Sequence, residues 1–251
     1  MMISNSTSTI DVQNKHVTIR GFLGKDVSAE MVTTILGAAR RAPTSSNYQT
    51  YSVVVVRNPD TKKKLAVLAG NQKHVETCPV FFAFCADISR LAVACEMHEK
   101  ELVRGFETTL VSSVDAALVG MSANTAAESL GLGAVMIGGM RNQPEQVAKA
   151  LGLPDGVYVV FGMCLGWPNE EARPAQKPRL ADDLVVHYES YNVSGQSEKL
   201  AAYDRALADH YNARGNNLDD AAWTGPLSNQ LSEARRTNLR PELERLGFSF
   251  D

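Results

Sequence analysis

The first regular pattern along the chain begins at Ser28, a residue able to cap a helix, and continues through apolar Met31, Val32, Ile35, Leu36 and Ala39. Steps of three and four put these on one face, so a helix is predicted over 29–41, stopped by Pro43. Thr44-Ser45-Ser46-Asn47 reads as a polar loop. The β-branched run Tyr51–Val56 predicts a buried strand. Pro59 opens a short helix expected to end by Gly70, and 80–86 is a second apolar strand. A long helix is predicted from about Phe106 to Leu130, with Leu110, Val114, Ala117, Leu118 and Met121 on one face. It is also rich in small residues, among them Ser112, Ala116, Gly120, Ala123 and Ala127. Small side chains let helices approach closely, so this one is expected to be central or to lie at a subunit seam. A strand at Gly133–Ile137, a helix starting near Asn142-Gln143-Pro144 and a strand at 157–165 follow, before a loop marked by Pro168, Pro174 and Pro178.

After about Glu189 the chain turns polar. Leu200, Tyr203, Leu207 and Tyr211 recur roughly once per helical turn until Gly215-Asn216-Asn217 breaks the pattern. Such a stripe needs burial, yet the segment has too few apolar residues for a core of its own. The alternation of helices and strands before it predicts one α/β domain over 1–251 with a helical arm at about 189–251.

Composition removes several function classes. Of 251 residues 44% are hydrophobic and 21% charged, a globular balance that allows a sizeable core. The net charge is −3 and the densest basic run is Lys62-Lys63-Lys64, expected to be a solvated helix face, so nucleic acid is not an expected partner. The four cysteines lack C-x-x-C spacing, and Cys85 and Cys164 lie in apolar runs where a thiol packs as a small core residue. A reducing cytoplasm fits that usage. Met1–Ile10 has no basic-then-apolar order of a signal peptide, and no eighteen apolar residues run together, so no membrane association is expected. The five histidines show neither HExxH nor H-x-H spacing, and no G-x-S-x-G elbow occurs, so no metal site or hydrolase is expected.

Gly131-Leu132-Gly133 nearly matches a dinucleotide fingerprint, but Met136 stands at the third glycine and a helix precedes the turn instead of a strand. The pair therefore reads as a helix end and tight turn. Gly138-Gly139 closes an apolar strand; it either lets a flat ligand approach the backbone or is a plain turn. In His16-Val17-Thr18-Ile19-Arg20 alternation would put His16, Thr18 and Arg20 on one side, a face suited to a phosphate if it is more than surface charge. Lys177-Pro178-Arg179 poses the same choice.

Together these segments resemble the FMN-dependent nitroreductase family, in its NADPH-linked flavin-reductase and oxygen-insensitive nitroreductase branch. The resembling pieces run in order over about 13–247: His16–Phe22, Pro43–Gln49, Gly70–Val75, Phe84–Asp87, Glu128–Gly133, Ile137–Asn142, Gly162–Pro168, Lys177–Leu180 and Arg214–Asn217. The resemblance implies an α+β fold: an α/β/α sandwich with a mostly antiparallel central sheet, two subunits exchanging C-terminal arms, and two FMN sites at their interface. It implies that His16, Thr18, Ile19, Arg20, Lys177 and Arg179 hold the phosphate and ribityl end of FMN. Thr44, Ser46 and Gln72 would face the flavin ring, with Gly138 and Gly139 near its reactive N5 edge. Ser46, Asn47, Arg214 and Arg235 or Arg236 would meet nucleotide or substrate.

The implied activity is ping-pong reduction of nitroaromatics, quinones or flavins by NAD(P)H in a cytoplasmic homodimer, the hydride passing through FMN and no side chain acting as catalyst. The alternatives are a same-fold FMN enzyme that dehalogenates or cleaves flavin, and a flavin-binding protein without turnover. Two departures stand out. Val17 replaces the family's usual cation, so one FMN-phosphate contact is lost and FMN is expected to bind more weakly or to be compensated elsewhere; Leu218-Asp219-Asp220 replaces further basic residues, so NADPH is expected to be preferred only modestly, with NADH also used.

Overall fold

The computed structural model describes residues 7–251; the first six residues of the Met1–Ile10 stretch lie outside the described residues. In chain order the helices are α1 (Ser8–Asn14), α2 (Ala29–Ala39), α3 (Pro59–Leu68), α4 (Lys73–Thr77), α5 (Ser89–Glu96) and α6 (Phe106–Ser129). They continue with α7 (Pro144–Leu151), α8 (Asp182–Val185), α9 (Gln196–Asn212), α10 (Thr224–Leu231) and α11 (Leu239–Arg245). The strands are β1 (Tyr51–Val56), β2 (Val80–Asp87), β3 (Gly133–Ile137) and β4 (Val157–Gly166). Local chemistry sets these boundaries. The Ser28 hydroxyl accepts the Met31 N–H to start α2, while Asn58 caps α3 ahead of Pro59. α2 ends at Ala39, two residues short of the predicted end and four before Pro43.

Contacts divide the chain into two compact units: the described part of Met1–Pro174 with Arg236–Asp251, and Ala175–Arg235. The first unit is an α+β sandwich. Its sheet has the order β1-β2-β4-β3, with antiparallel neighbours throughout the described residues. Every residue of β2 is buried, because the sheet is covered on both faces. Phe81, Ala83 and Cys85 point into a core with α3 and α7 residues, while Val80, Phe82 and Phe84 point into a second core with α2 and α6. The predicted buried strand at Tyr51–Val56 is instead an edge strand, mostly half-buried, since only β2 pairs with it.

The long helix carries the reverse of a simple apolar stripe. Apart from the buried Val119, its inward face is small or polar (Ser112, Asp115, Ala116, Gly120, Ala123, Asn124), and a Cβ at Gly120 would lie 2.3 Å from the Phe161 ring. Leu110, Val114, Leu118 and Met121 face outward, each at least 40% exposed. Lys62 also corrects the sequence reading: it is only 7% exposed, and its ammonium donates to the Cys78 carbonyl, so the tri-lysine run is not wholly a solvated face.

The expected arm at 189–251 is also redrawn. Residues 236–251 belong to the first unit: Phe106 N–H donates to Asp251 O (3.1 Å) and Gly156 N–H to Leu246 O (2.8 Å). The second unit holds α8, α9 and α10. There Asp204 of α9 accepts the Trp223 and Thr224 N–H groups at 2.7 and 2.8 Å, fixing the start of α10.

Candidate active site

Ile19 shows how the first motif is set. Its N–H donates to Ala134 O of β3 (2.9 Å) and its side chain is buried against Gly133, where a Cβ would lie 2.6 Å from it. Any ligand contact at Ile19 is therefore left to its backbone. Alternation turns Thr18 and Arg20 the other way; Thr18 is half-buried and Arg20 exposed. His16 Nδ1 pairs with the Glu128 carboxylate at the end of α6, which fixes the ring's orientation. Glu128 had been noted only as part of a resembling segment, and its spacing of 112 residues from His16 gave no local signal.

β3 leads from that motif to the glycine pair. At Gly139 the packing is closed: a Cβ would fall 2.5 Å from Ala69 O and 2.7 Å from Gln72 Nε2. Gln72 is held by donating that nitrogen to Ala69 O (2.8 Å). Two residues on, His74 has a buried Nε2 with no hydrogen-bond partner, and its pKa is lowered first by burial and then by the Arg20 charge. Arg20, the Gln72–His74 stretch and Gly139 thus come together from three distant parts of the chain. Beside Gly138 the sheet is bulged: Phe84 pairs with Phe161 and Cys85 with Val159, so Val160 is skipped and its carbonyl accepts from Arg141. Bulges of this kind gather at sites where a strand must release its regular pairing.

Asn142 completes this edge. Its Oδ1 accepts Arg236 Nε (2.9 Å) and its carbonyl accepts Asn238 Nδ2 (2.9 Å). Arg236 is thereby held next to the glycine turn, whereas Arg235 is exposed and falls in the second unit.

The loop with Thr44, Ser46 and Asn47 is a separate construction. Ser45–Asn47 forms a 3-10 turn, and Ser46, Asn47 and Gln49 have φ of 45°, 59° and 53°. Each non-glycine residue in this left-handed region costs roughly 1–2 kcal/mol, and such strain concentrates where a site demands it. The loop is exposed but its ends are tied down: Ser45 and Thr50 donate to the buried Asp115 of α6. Arg90 holds the far side through Gln49 O (3.1 Å) and Ser52 Oγ (2.9 Å). No pattern in the sequence pointed to Asp115; the one signal was a lone acid among small residues.

In the second unit Lys177, Arg179 and Arg214 are exposed. Lys177 Nζ lies 5.3 Å from the Tyr211 ring centre, on the rim of a groove of about 450 Å³ lined by Tyr203, Leu207, Tyr211, Trp223 and Leu227. The pKa of His210 is lowered by burial, then by Arg214 and Lys177, so three potential cations gather at one end of α9. Among the described residues no cluster of His, Cys, Asp or Glu is arranged to hold a metal ion, and no helix is long and apolar enough to cross a membrane.

The chain matches two family models: the nitroreductase family over residues 14–167 and the nitroreductase family, C-terminal domain, over residues 177–251. It is 37% identical to a Bacillus subtilis protein named FMN reductase (NADPH), over 96% of this chain and 98% of that one. A second B. subtilis protein, named FMN reductase [NAD(P)H], is 35% identical over 94% of this chain and 96% of its own. Among solved structures, B. megaterium NfrA2 superimposes with a TM-score of 0.93 at 37% identity, covering 98% of this chain and 100% of that one.

Proposed function

The chain belongs to the nitroreductase family, and we propose that the surface running from its first motif to the Gly138-Gly139 turn holds FMN. The protein is an NAD(P)H-dependent FMN oxidoreductase, as its full-length relatives are named. The observation that carries the site assignment is the gathering of Arg20, His74, Gln72 and Gly139, with a buried His74 nitrogen lacking any protein partner. These residues fit the cofactor's chemistry. Arg20, Thr18 and the ring of His16 offer charge-assisted and neutral donors to a phosphate. Gly138 leaves the backbone open to a flat ring, Gly139 lets the turn pack against Ala69 and Gln72, and Gln72, its amide nitrogen tied to Ala69, offers a carbonyl oxygen.

FMN, when bound, would supply two-electron redox chemistry between a reduced nicotinamide and an acceptor such as a nitroaromatic, quinone or flavin. The chain's own residues do the rest. Glu128 orients His16, Arg20 balances phosphate charge, and the pinned loop presents Thr44, Ser46 and Asn47 to the ring and to the acceptor. Arg236, held by Asn142, and Arg235 are the candidate substrate-facing arginines. Lys177 and Arg179 are phosphate candidates, and Arg214 a nucleotide-phosphate candidate, by likeness to the family.

The working form we propose is a cytoplasmic homodimer. The outward stripe of α6, with Phe106 at 51% and Val103 at 84% exposure, is an apolar face larger than isolated surface residues would make. The test is the visible spectrum of the purified protein before and after NADPH, with light scattering on the same sample. A yellow dimer bleached by NADPH and reoxidised by a quinone is expected. A colourless protein that takes up no added FMN overturns the reading.

A further inference from the structure

The loop at 44–50 does not hold its own shape. Its internal main-chain bonds are few, Asn47 N–H to Thr44 O at 3.3 Å and Tyr48 N–H to Ser45 O at 2.8 Å, while three of its residues sit in the left-handed region. One carboxylate spans it. Asp115 Oδ1 accepts the Ser45 N–H at 3.1 Å, and Oδ2 accepts the Thr50 N–H at 3.1 Å and the Thr50 hydroxyl at 2.7 Å. Asp115 is 1% exposed and Thr50 2% exposed. A carboxylate so buried persists only with its oxygens filled, and here two of its three donors are amides at opposite ends of the loop. Carboxylate and loop conformation therefore stabilise each other. Strained residues keep their geometry only where the surroundings over-determine it; this anchor on the rigid interior of α6 fixes both ends of the loop, and Arg90 adds a hold on Gln49 O.

We propose that Asp115 is a positioning residue for the reaction: by fixing the backbone at Ser45 and Thr50 it holds Thr44, Ser46 and Asn47 in the arrangement that meets the flavin ring and the electron acceptor. This rests on assigning those three residues to the flavin-facing part of the site. Asp115 touches neither partner; it acts through the loop. Weakening the anchor lets the loop relax, and the apparent affinity for the acceptor falls in proportion to the fraction of molecules still correctly arranged.

The test uses the full-length, FMN-loaded protein carrying Asp115→Asn, which keeps the volume but turns an amide NH₂ toward one of the donors. With NADPH saturating and 1,4-benzoquinone as acceptor, KM for the quinone is expected to rise about tenfold, corresponding to a loop correctly set about one-tenth of the time. Amide hydrogen exchange at 45–50 should accelerate by at least that factor, because the open fraction grows from a small value to most of the molecules, while β2 and α6 stay protected. A lowered Tm with unchanged KM and unchanged exchange at 45–50 makes Asp115 an ordinary fold contact and overturns the proposal. Faster exchange with an unchanged KM overturns it differently: the loop would then lie away from the reaction, and the assignment of Thr44, Ser46 and Asn47 would fail with FMN binding intact. If Asp115→Asn does not fold, Thr50→Val removes a single donor at constant shape, and a KM rise of about threefold is expected in its place.

Discussion

The two units of this chain solve the problem of burial in opposite ways. In the first, β2 is buried along its whole length and its side chains alternate between two cores, so each strand residue has a packed partner. The second holds itself together with local devices, Asp204 capping the turn into α10 and Tyr203 edge-on to Trp223 at 5.6 Å. Its cations stay on the surface, and its groove is lined by aromatic rings that its own helices leave open. A unit with a dense core can support backbone strain at a site, whereas a loosely packed one suits the handling of ligands that come and go.

The sharpest way to break that contrast is to cut into each unit's packing. Phe84 is fully buried between α2, α6 and the sheet and stacks on Phe161 at 5.2 Å. Phe84→Ala is expected to cost about 3–5 kcal/mol, the range for a large aromatic lost from a packed core. Leu227, half-buried in the second unit, should cost less than about 2 kcal/mol on truncation to alanine. Urea unfolding of the two variants gives the comparison directly. Equal losses would mean that the second unit has a core as demanding as the first.

A smaller effect separates site charge from surface charge. Arg20→Ala should weaken FMN binding by roughly 1.5–3 kcal/mol, the loss of a charge-assisted contact to phosphate. The control must be an exposed lysine of the same basic run, Lys63, for which about zero is expected. Lys62 cannot serve, because its buried amine satisfies the Cys78 carbonyl and its removal would disturb the fold. Titration of apoprotein with FMN, followed by flavin fluorescence, measures both. Equal dissociation constants for the Arg20 and Lys63 variants remove the first motif from the phosphate.

These corrections show where the sequence was readable. Strand and helix positions in the first unit followed from period and caps: Tyr51–Val56 and Gly133–Ile137 begin and end where the apolar pattern predicts. What the pattern could not reveal was sidedness. A β-branched run looks the same on an edge as in the centre, so β1 was read as buried. On α6 the apolar stripe marks the outward face, because the inward one had to be small to fit Phe161 against Gly120. Long-range polar pairings left no periodic trace either: His16 with Glu128, Asp115 with Ser45 and Thr50, and Arg236 with Asn142 each join residues at least 65 positions apart. The candidate contacts rest on resemblance; the residues that hold those side chains in place left no such signal.

The smallest expected effect concerns the nucleotide and belongs wholly to the second unit. The extra phosphate of NADPH carries nearly two negative charges and is normally selected by more than one cation. Arg214, the proposed nucleotide-phosphate residue, would supply one; it is exposed, just past the end of α9. His210, one helical turn earlier, adds none near neutral pH, since burial, Arg214 and Lys177 all disfavour its protonated form. Asp219 and Asp220 follow in the same exposed stretch and oppose the phosphate. Exposed effects of this kind are each worth about 1 kcal/mol or less, so attraction and repulsion nearly cancel. NADPH should therefore be preferred over NADH by no more than about tenfold, a 1.4 kcal/mol difference. Arg214→Ala should narrow the gap by raising KM for NADPH alone, and Asp219→Asn should widen it. Steady-state kinetics with both nucleotides at low ionic strength, where screening is least, measures the ratio. A preference above a thousandfold in the unmodified protein would require further cations at the phosphate, and the charge balance drawn for Arg214 and its two aspartates would be wrong.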